Sequence, residues 1–537
     1  MLDWGAVEFN LADLIEAAAD AVPEREAIVA GGRRLRFREL EERSNRLAHA
    51  LGAAGIGPGD AVGIHARNRV EWVESMLALF KLRAVPININ YRYVAAELRY
   101  LFENADLVGL ILEREFAPRL REVRGALPKL RELFVLEDGS AADLGGLDAP
   151  PYEAALQGGS PERDFAPRSA DDHYVLYTGG TTGMPKGVIW RHEDLIFGAL
   201  GGALADPPLE GPGSFSERGA AQAPLTAIAI APLMHGQAQW LTLSSLITGG
   251  RVVLYTEPSF DPHAIWHLVE RERVQSLIIT GDAMGRPLAE ALAEAGVRYD
   301  TSSLLLLNSG AAILSPSVKD ELRARLPHVS VLDSFGASET GYNGTVMDLG
   351  GAAAGPRFRM NEFTAVLDDD LEPLAPGSET IGRLARRGHI PLGYHGDPEK
   401  TAATFPTDRH GVRWVIPGDY ARVEADGTIL LLGRGAVCIN SGGEKIFPEE
   451  VEAVLKSHPD VFDAIVLGVP DPRWGERVAA VVQPRPNREP TLEALAAHVR
   501  TRLAGYKVPR ELRLVGELRR TPAGKPDYRW AREQYGV

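Results

Sequence analysis

Cysteine is almost missing from this 537-residue sequence: the single thiol, Cys438, excludes an intramolecular disulfide, a cysteine-based zinc site and an iron–sulfur cluster. Long hydrophobic runs are missing as well. No stretch approaches the roughly 18 uncharged apolar residues of a membrane span, so no integral membrane association is expected. The opening residues Met1-Leu-Asp-Trp-Gly-Ala-Val-Glu have neither a basic n-region nor an apolar h-region, which points to a cytoplasmic protein. Positive charge is in deficit, 58 Lys and Arg against 73 Asp and Glu, giving a formal charge of −15. The field of such a chain repels nucleic acid and anionic bilayers, so any polyphosphate it binds must be held by local cations. A Walker A loop, Gly-x-x-x-x-Gly-Lys-Ser/Thr, is also absent, which disfavours a P-loop NTPase.

What is present is a chain of globular composition, 45% hydrophobic and 24% charged, long enough for several domain-sized cores. From Leu11 to Val135 helical patterns alternate with short apolar strands. Phe37 to Leu51 carries apolar positions at helical spacing and ends at Gly52 and Gly55; Asp60 to His65 reads as a strand, Val70 to Phe80 as a helix, and Pro86 to Arg92 continues the series. Such alternation predicts layered parallel α/β structure. A Pro/Gly/polar stretch from Gly201 to Pro224 reads as a surface loop, after which Ala227–Ala231, Arg251–Tyr255 and Ser276–Thr280 resume as strands of a second α/β unit. Beyond Gly433 the texture shifts to a smaller unit, with helices at Pro448–Ser457 and Thr491–Leu503 and strands at Asp463–Gly468 and Arg477–Gln483. The cations Lys507, Arg510, Arg513, Arg519, Arg520 and Lys525 cluster there, and for most of them a solvated face is the reading preferred.

The most informative run is Thr178-Gly179-Gly180-Thr181-Thr182-Gly183-Met-Pro-Lys186-Gly187. Glycines let backbone amides turn toward an anion, threonine hydroxyls add donors, and Lys186 brings a cation to phosphate oxygens. Its flanks, Tyr174–Tyr177 and Val188–Trp190, read as buried strands, which places this phosphate cradle on a rigid scaffold.

The run resembles the phosphate loop of the adenylate-forming superfamily, and further motifs in that family's order extend the resemblance to residue 525. Its details look most like the actinobacterial acyl-CoA synthetases acting on fatty or steroid side-chain acids. The resemblance implies an α/β fold, with a large N-terminal domain of layered α/β subdomains (1–433) and a small, mobile α+β C-terminal domain (434–537). The hinge falls near 434–436, where Ala436 replaces the acidic residue or lysine frequent in relatives. It further implies ATP and CoA as substrates and Mg2+ as cofactor.

Residue by residue, the resemblance assigns Lys525 as the catalytic lysine bridging carboxylate and phosphate, with Thr178 and Lys186 on the phosphates. In Ser334-Phe335-Gly336-Ala-Ser-Glu339-Thr340, Glu339 takes the magnesium role, Phe335 packs on adenine and Thr340 lies near the acyl phosphate. Gly310, Ala311 and Ala312 contact adenine, and Asp419 and Arg434 form the ribose pair. Ser441, Gly442 and Gly443 line the pantetheine tunnel, while Lys445 either pairs with a CoA phosphate or is solvated. His235 is a gate or wall of the acyl pocket, with Trp240, Gly281 and Asp282 beside it.

The implied reaction is a two-step ligation in which carboxylate and ATP give acyl-AMP, then the CoA thiol displaces AMP. An amine or a carrier-protein thiol stays open as the acceptor; no carrier-like Asp-Ser-Leu segment is apparent, so a carrier would act in trans. A non-catalytic nucleotide sensor is disfavoured, because Lys525 and Glu339 both remain. The expected partner is a small carboxylic acid, and a homodimer is left open.

Overall fold

The computed structural model describes residues 7–178, 184–312, 314–345, 357–434, 437–441, 444–520 and 525–537. Four sheets organise them. Two large sheets, of eight and seven strands, are mostly parallel and enclose a shared layer of helices.

In the seven-stranded sheet the order is Gly393–Tyr394, Lys186–Arg191, His173–Thr178, Val85–Asn88, Ala61–His65, Gly109–Glu113, Glu132–Leu136. Its last five strands run parallel, and the hairpin that closes the phosphate run sits beside them, antiparallel. The eight-stranded sheet is parallel except at its two edges, where Arg33–Arg36 and Gly341–Thr345 turn back antiparallel. Each parallel connection requires a crossover, so helices cover both faces of each sheet. Helix Val70–Lys81 is buried at every position and lies in the shared layer, where its polar side chains Glu71, Glu74, Ser75 and Lys81 are each hydrogen-bonded. Its one buried cation, Lys81, is held by Glu16 at 2.6 Å and Glu41 at 2.9 Å. Two outer helical layers complete an α/β/α/β/α stack: 262–272, 281–293 and 316–325 on one sheet, 95–104 and 117–124 on the other.

Residues 357–434 form a five-stranded antiparallel sheet, and 439–514 supply another, built on the long hairpin Val461–Asp471 and Gly475–Pro484. Helices Pro448–Lys456 and Leu492–Arg500 pack on that hairpin, with Thr491 capping the second by accepting from Ala494 N. No helix among the described residues is long and apolar enough to cross a membrane. The α/β class and the large-plus-small organisation agree with expectation.

The segment read as a loop from Gly201 to Pro224 contains a helix, Ser214–Ala220. A distant residue stabilises it. Arg25 donates to the carbonyls of Gly219, Ala220 and Gln222, satisfying the helix end from another part of the chain. Arg520 departs from the solvated-face reading: its guanidinium is buried against Asp463, 2.6 Å away.

His65 ends its strand fully buried, stacked on Phe116 at 4.3 Å, with neither ring nitrogen hydrogen-bonded. Burial, helped by the Arg119 cation, pushes its imidazole down from 6.5 to about 3. Between those pH values the unfolded ring binds a proton that the folded ring refuses, so His65 withdraws stability as pH falls through that window. His65→Leu is expected to flatten the acid limb of stability against pH by about one proton, about 1.4 kcal/mol per pH unit, in denaturant titrations. An unchanged slope contradicts this account.

Candidate active site

Strands His173–Thr178 and Lys186–Arg191 pair antiparallel with Thr178 opposite Lys186, so the ladder pins both ends of the phosphate run. Gly179, Gly180, Thr181, Thr182 and Gly183 lie outside the described residues. Asn88 holds the base of the hairpin. It accepts from Tyr177 N at 2.8 Å and donates to Tyr177 O and Met234 O, tying the strand before Thr178 to the residue before His235.

Lys186 Nζ lies 3.0 Å from Asp397 Oδ2 and 5.4 Å from the centre of the Tyr394 ring. Tyr394 Oη donates to Glu339 Oε1 at 3.0 Å, which links the cation of the phosphate run to the predicted metal carboxylate. The Asp397 carboxyl is held below its ordinary value, first by the Lys400 amide that it caps and then by Lys186. Both members of the Lys186–Asp397 pair are about a third exposed, 37% and 36%. A pair so open to water contributes little, so Lys186 can exchange Asp397 for a phosphate oxygen. Sequence reasoning missed Tyr394 and Asp397, although Asp397-Pro398 is a legible helix start with a capping aspartate and proline at the first position.

Glu339 sits in the turn between Ser330–Ala337 and Gly341–Thr345. Gly336 is required there, since a Cβ would lie 2.3 Å from Gly341 O. Thr340 is 2% exposed, and its hydroxyl accepts from Ala337 N and Asn343 Nδ2, so it braces the turn that presents Glu339. One face of Phe335 is taken: its ring centre is 4.9 Å from that of Phe358, within the core of the small antiparallel sheet. Ser334 Oγ donates to Asn308 Oδ1, joining two neighbouring strand ends. Among the described residues no group of three or more His, Cys, Asp or Glu side chains could hold a metal. A magnesium ion here would rest on Glu339 and on substrate phosphates, the donor set that this small hard ion accepts.

Gly310, Ala311 and Ala312 form a tight turn after strand Leu306–Ser309, with Ala311 in the left-handed region at φ 63°. Gly310 leaves room for Gln237, whose Nε2 would lie 2.9 Å from an added Cβ. Gln237 donates to Ile279 O and accepts from Thr280 Oγ1, fixing helix Gly236–Ile247 to the end of strand Ser276–Ile279. Asp419 is buried at a strand start, with Arg434 as its direct partner across the ladder. Ser441 ends strand Ile439–Ser441, while Gly442, Gly443 and the pivot residues 435–436 lie outside the described residues, as does the side chain of Lys445.

His235 precedes helix Gly236–Ile247, and its Nε2 is buried without a hydrogen bond. Burial, then the Arg92 and Lys525 cations, push its imidazole down to about 4. It is therefore neutral near pH 7. The Lys525 cation, from the C-terminal unit, thus acts electrostatically on His235. Trp240 packs edge-to-face on Trp190 at 6.2 Å, and Trp190 Nε1 donates to Ser338 O in the Glu339 turn.

Asp282 Oδ1 accepts from Ser315 N at 2.7 Å and its Oδ2 lies 3.5 Å from Lys456 Nζ, so its carboxylate meets the C-terminal unit. Gly281 opens the same helix, and its N–H donates to Ser309 Oγ.

A strand-anchored phosphate run, a carboxylate beside it and a lysine delivered by a second unit define an adenylating enzyme. The chain belongs to the AMP-binding enzyme family, whose model matches residues 15–395, and a second model, the AMP-binding enzyme C-terminal domain, matches 450–525. It is 51% identical over 532 residues to the medium/long-chain-fatty-acid--CoA/3-oxocholest-4-en-26-oate--CoA ligase of Mycolicibacterium smegmatis, covering 98% of this chain and 96% of the relative. It is 50% identical over 540 residues to the 3-oxocholest-4-en-26-oate--CoA ligase of Rhodococcus rhodochrous, with the same coverage. Among solved structures, an anthranilate CoA ligase in complex with anthranoyl-AMP shares the fold at a TM-score of 0.84 and 24% identity, covering 98% of each chain.

Removing the Tyr394 hydroxyl leaves Glu339 without the donor that orients it. Tyr394→Phe is expected to lower ATP–pyrophosphate exchange by about 3- to 30-fold and to raise the magnesium concentration needed for half-maximal rate. An unchanged magnesium dependence contradicts the assignment.

Proposed function

We propose that this chain activates a medium- or long-chain fatty acid, or a steroid side-chain carboxylic acid, as its acyl adenylate and transfers the acyl group to CoA. It is an AMP-forming acyl-CoA synthetase that uses ATP, Mg2+ and CoA. The observation that supports the acyl class is identity of about one half, along nearly the full length, to relatives named for such acids.

In the first step a carboxylate oxygen forms a bond to the α-phosphorus of ATP, the bond to the bridging oxygen breaks and pyrophosphate leaves. Charge builds on the phosphoryl oxygens, and Lys525 is the cation that meets it, bridging the α-phosphate and the incoming carboxylate. Thr178, Lys186 and the threonines of the run between them hold the β- and γ-phosphates. Glu339, oriented by Tyr394, would hold the magnesium ion, which when bound neutralises phosphate charge. Gly310, Ala311 and Ala312 supply a flat backbone surface for adenine, against the remaining edge of Phe335. Asp419 and Arg434 hold the ribose hydroxyls, the carboxylate accepting and the guanidinium donating.

In the second step the CoA sulfur forms a bond to the acyl carbon and the bond to the AMP oxygen breaks. The C-terminal domain, 434–537, turns about 434–436 between the steps, exchanging Lys525 for the segment Ser441–Lys445 at the mouth of the pocket. Neutral His235 and Trp240 wall that pocket without competing for the proton of the acid. The protein acts in the cytoplasm.

Incubation with ATP, CoA and a panel of fatty, steroid and aromatic acids, read by mass spectrometry, is expected to give acyl-CoA and AMP. The kcat/KM for the preferred fatty or steroid acid should exceed that for benzoate by about tenfold or more. AMP without thioester sinks the CoA acceptor, and preference for aromatic acids sinks the acyl class. Lys525→Ala is expected to lower acyl-AMP formation by about 100-fold or more while sparing thioester formation from supplied acyl-AMP. Equal loss of both steps refutes that division.

A further inference from the structure

Helix Gly281–Ala293 carries three ionisable side chains four residues apart, Asp282, Arg286 and Glu290, so they form one stripe along the helix. All three meet the C-terminal unit. Asp282 Oδ2 lies 3.5 Å from Lys456 Nζ, the Arg286 guanidinium sits 5.4 Å from the centre of the Phe462 ring, and Glu290 is 3.6 Å from Arg485. The last contact is half-exposed and worth little, whereas Asp282 and Lys456 are buried.

From Lys456 the contacts continue inward. Its Nζ is also 3.6 Å from Asp463 Oδ1, and the Asp463 carboxylate receives Arg520 through Nε at 2.9 Å and Nη2 at 2.6 Å. Burial works against the charge of Lys456, but the Asp282 and Asp463 carboxylates outweigh it and hold the ammonium above its ordinary value. Arg520 bridges to Pro526, and Asp527 N donates to Arg519 O. These bonds tie Arg519 and Arg520 to Pro526 and Asp527, on the other side of Lys525. A path of ionic contacts thus runs from the large domain, through Lys456, Asp463 and Arg520, to the backbone bridge that flanks Lys525.

We propose that Asp282 and Lys456 are positioning residues for the adenylation half-reaction: their buried ion pair seats the C-terminal unit and, through Asp463 and Arg520, fixes the loop that carries Lys525. The chemistry suits a seat that must also be left. Two desolvated charges attract strongly when paired, yet their hydration offsets most of that gain once they part, so the contact specifies one arrangement without locking it. Arg286, 1% exposed with neither Nη hydrogen-bonded, adds a charge that regains water when the units separate.

This inference rests on the ligase reading, and the test separates the two. Asp282→Asn keeps the Oδ1 that accepts from Ser315 and removes only the charge; Lys456→Met leaves Asp463 paired with Arg520. ATP–pyrophosphate exchange with the preferred acid reads the first step, and thioester formation from synthetic acyl-adenylate reads the second. Each single variant is expected to lose about tenfold or more in exchange while keeping thioester formation within about twofold, and the double variant should fall no further than the worse single. Lys456→Arg should recover part of the exchange. Unchanged exchange in D282N, parallel loss of both steps, or additive losses in the double variant overturns the proposal. Wild-type protein without exchange on any acid overturns the ligase reading instead.

Discussion

The small C-terminal unit is seated on helix Gly281–Ala293 through the buried Asp282–Lys456 pair. The proposed division of the chemistry between two domains rests on that contact. A chain of net charge −15 has no general attraction for a polyphosphate, so cations must converge from separate elements on one spot. Lys186 arrives on a strand of the large domain, and Lys525 arrives on a loop of the small one. The first is fixed by a sheet ladder, and the second belongs to a unit docked through an interface.

The large domain acts as a frame. Its parallel sheets share one buried helical layer, and cross-links such as Asn88 and Gln237 tie strand ends to the segment around His235. Each of these amides bonds backbone from elements far apart in sequence, fixing the loop geometry where ligands gather at strand ends. The aromatic line Trp240, Trp190 and Ser338 O does the same for the turn bearing Glu339. Burial in this packing, with the Arg92 and Lys525 cations, lowers His235 to about 4.

Much of this was legible in the residues. The strand before Thr178, helix Val70–Lys81 and the C-terminal hairpin are set by local periodicity and came through with end shifts of a few residues. The antiparallel sheet of residues 357–434 was not read at all, because its short strands alternate weakly and are defined by partners far away in the chain. Helix Ser214–Ala220 was missed for a similar reason, its end being satisfied by Arg25. In the site, motif residues were placed by type and spacing, but what each side chain touches was not. Thr340 turned inward to brace its own loop, and Asp282 turned outward to Lys456. Tyr394 lay hidden because a tyrosine in a two-residue strand carries no local sign of the carboxylate it orients.

A crystal structure with a non-hydrolysable acyl-adenylate analogue, an acyl-sulfamoyl adenosine, tests the central claim most directly. The account predicts the ribose on Asp419, Lys525 Nζ within about 3 Å of the sulfamoyl or acyl oxygens, and Asp282 in contact with Lys456. Adenosine bound away from Asp419, or Lys525 turned to solvent while the analogue occupies the site, would contradict it.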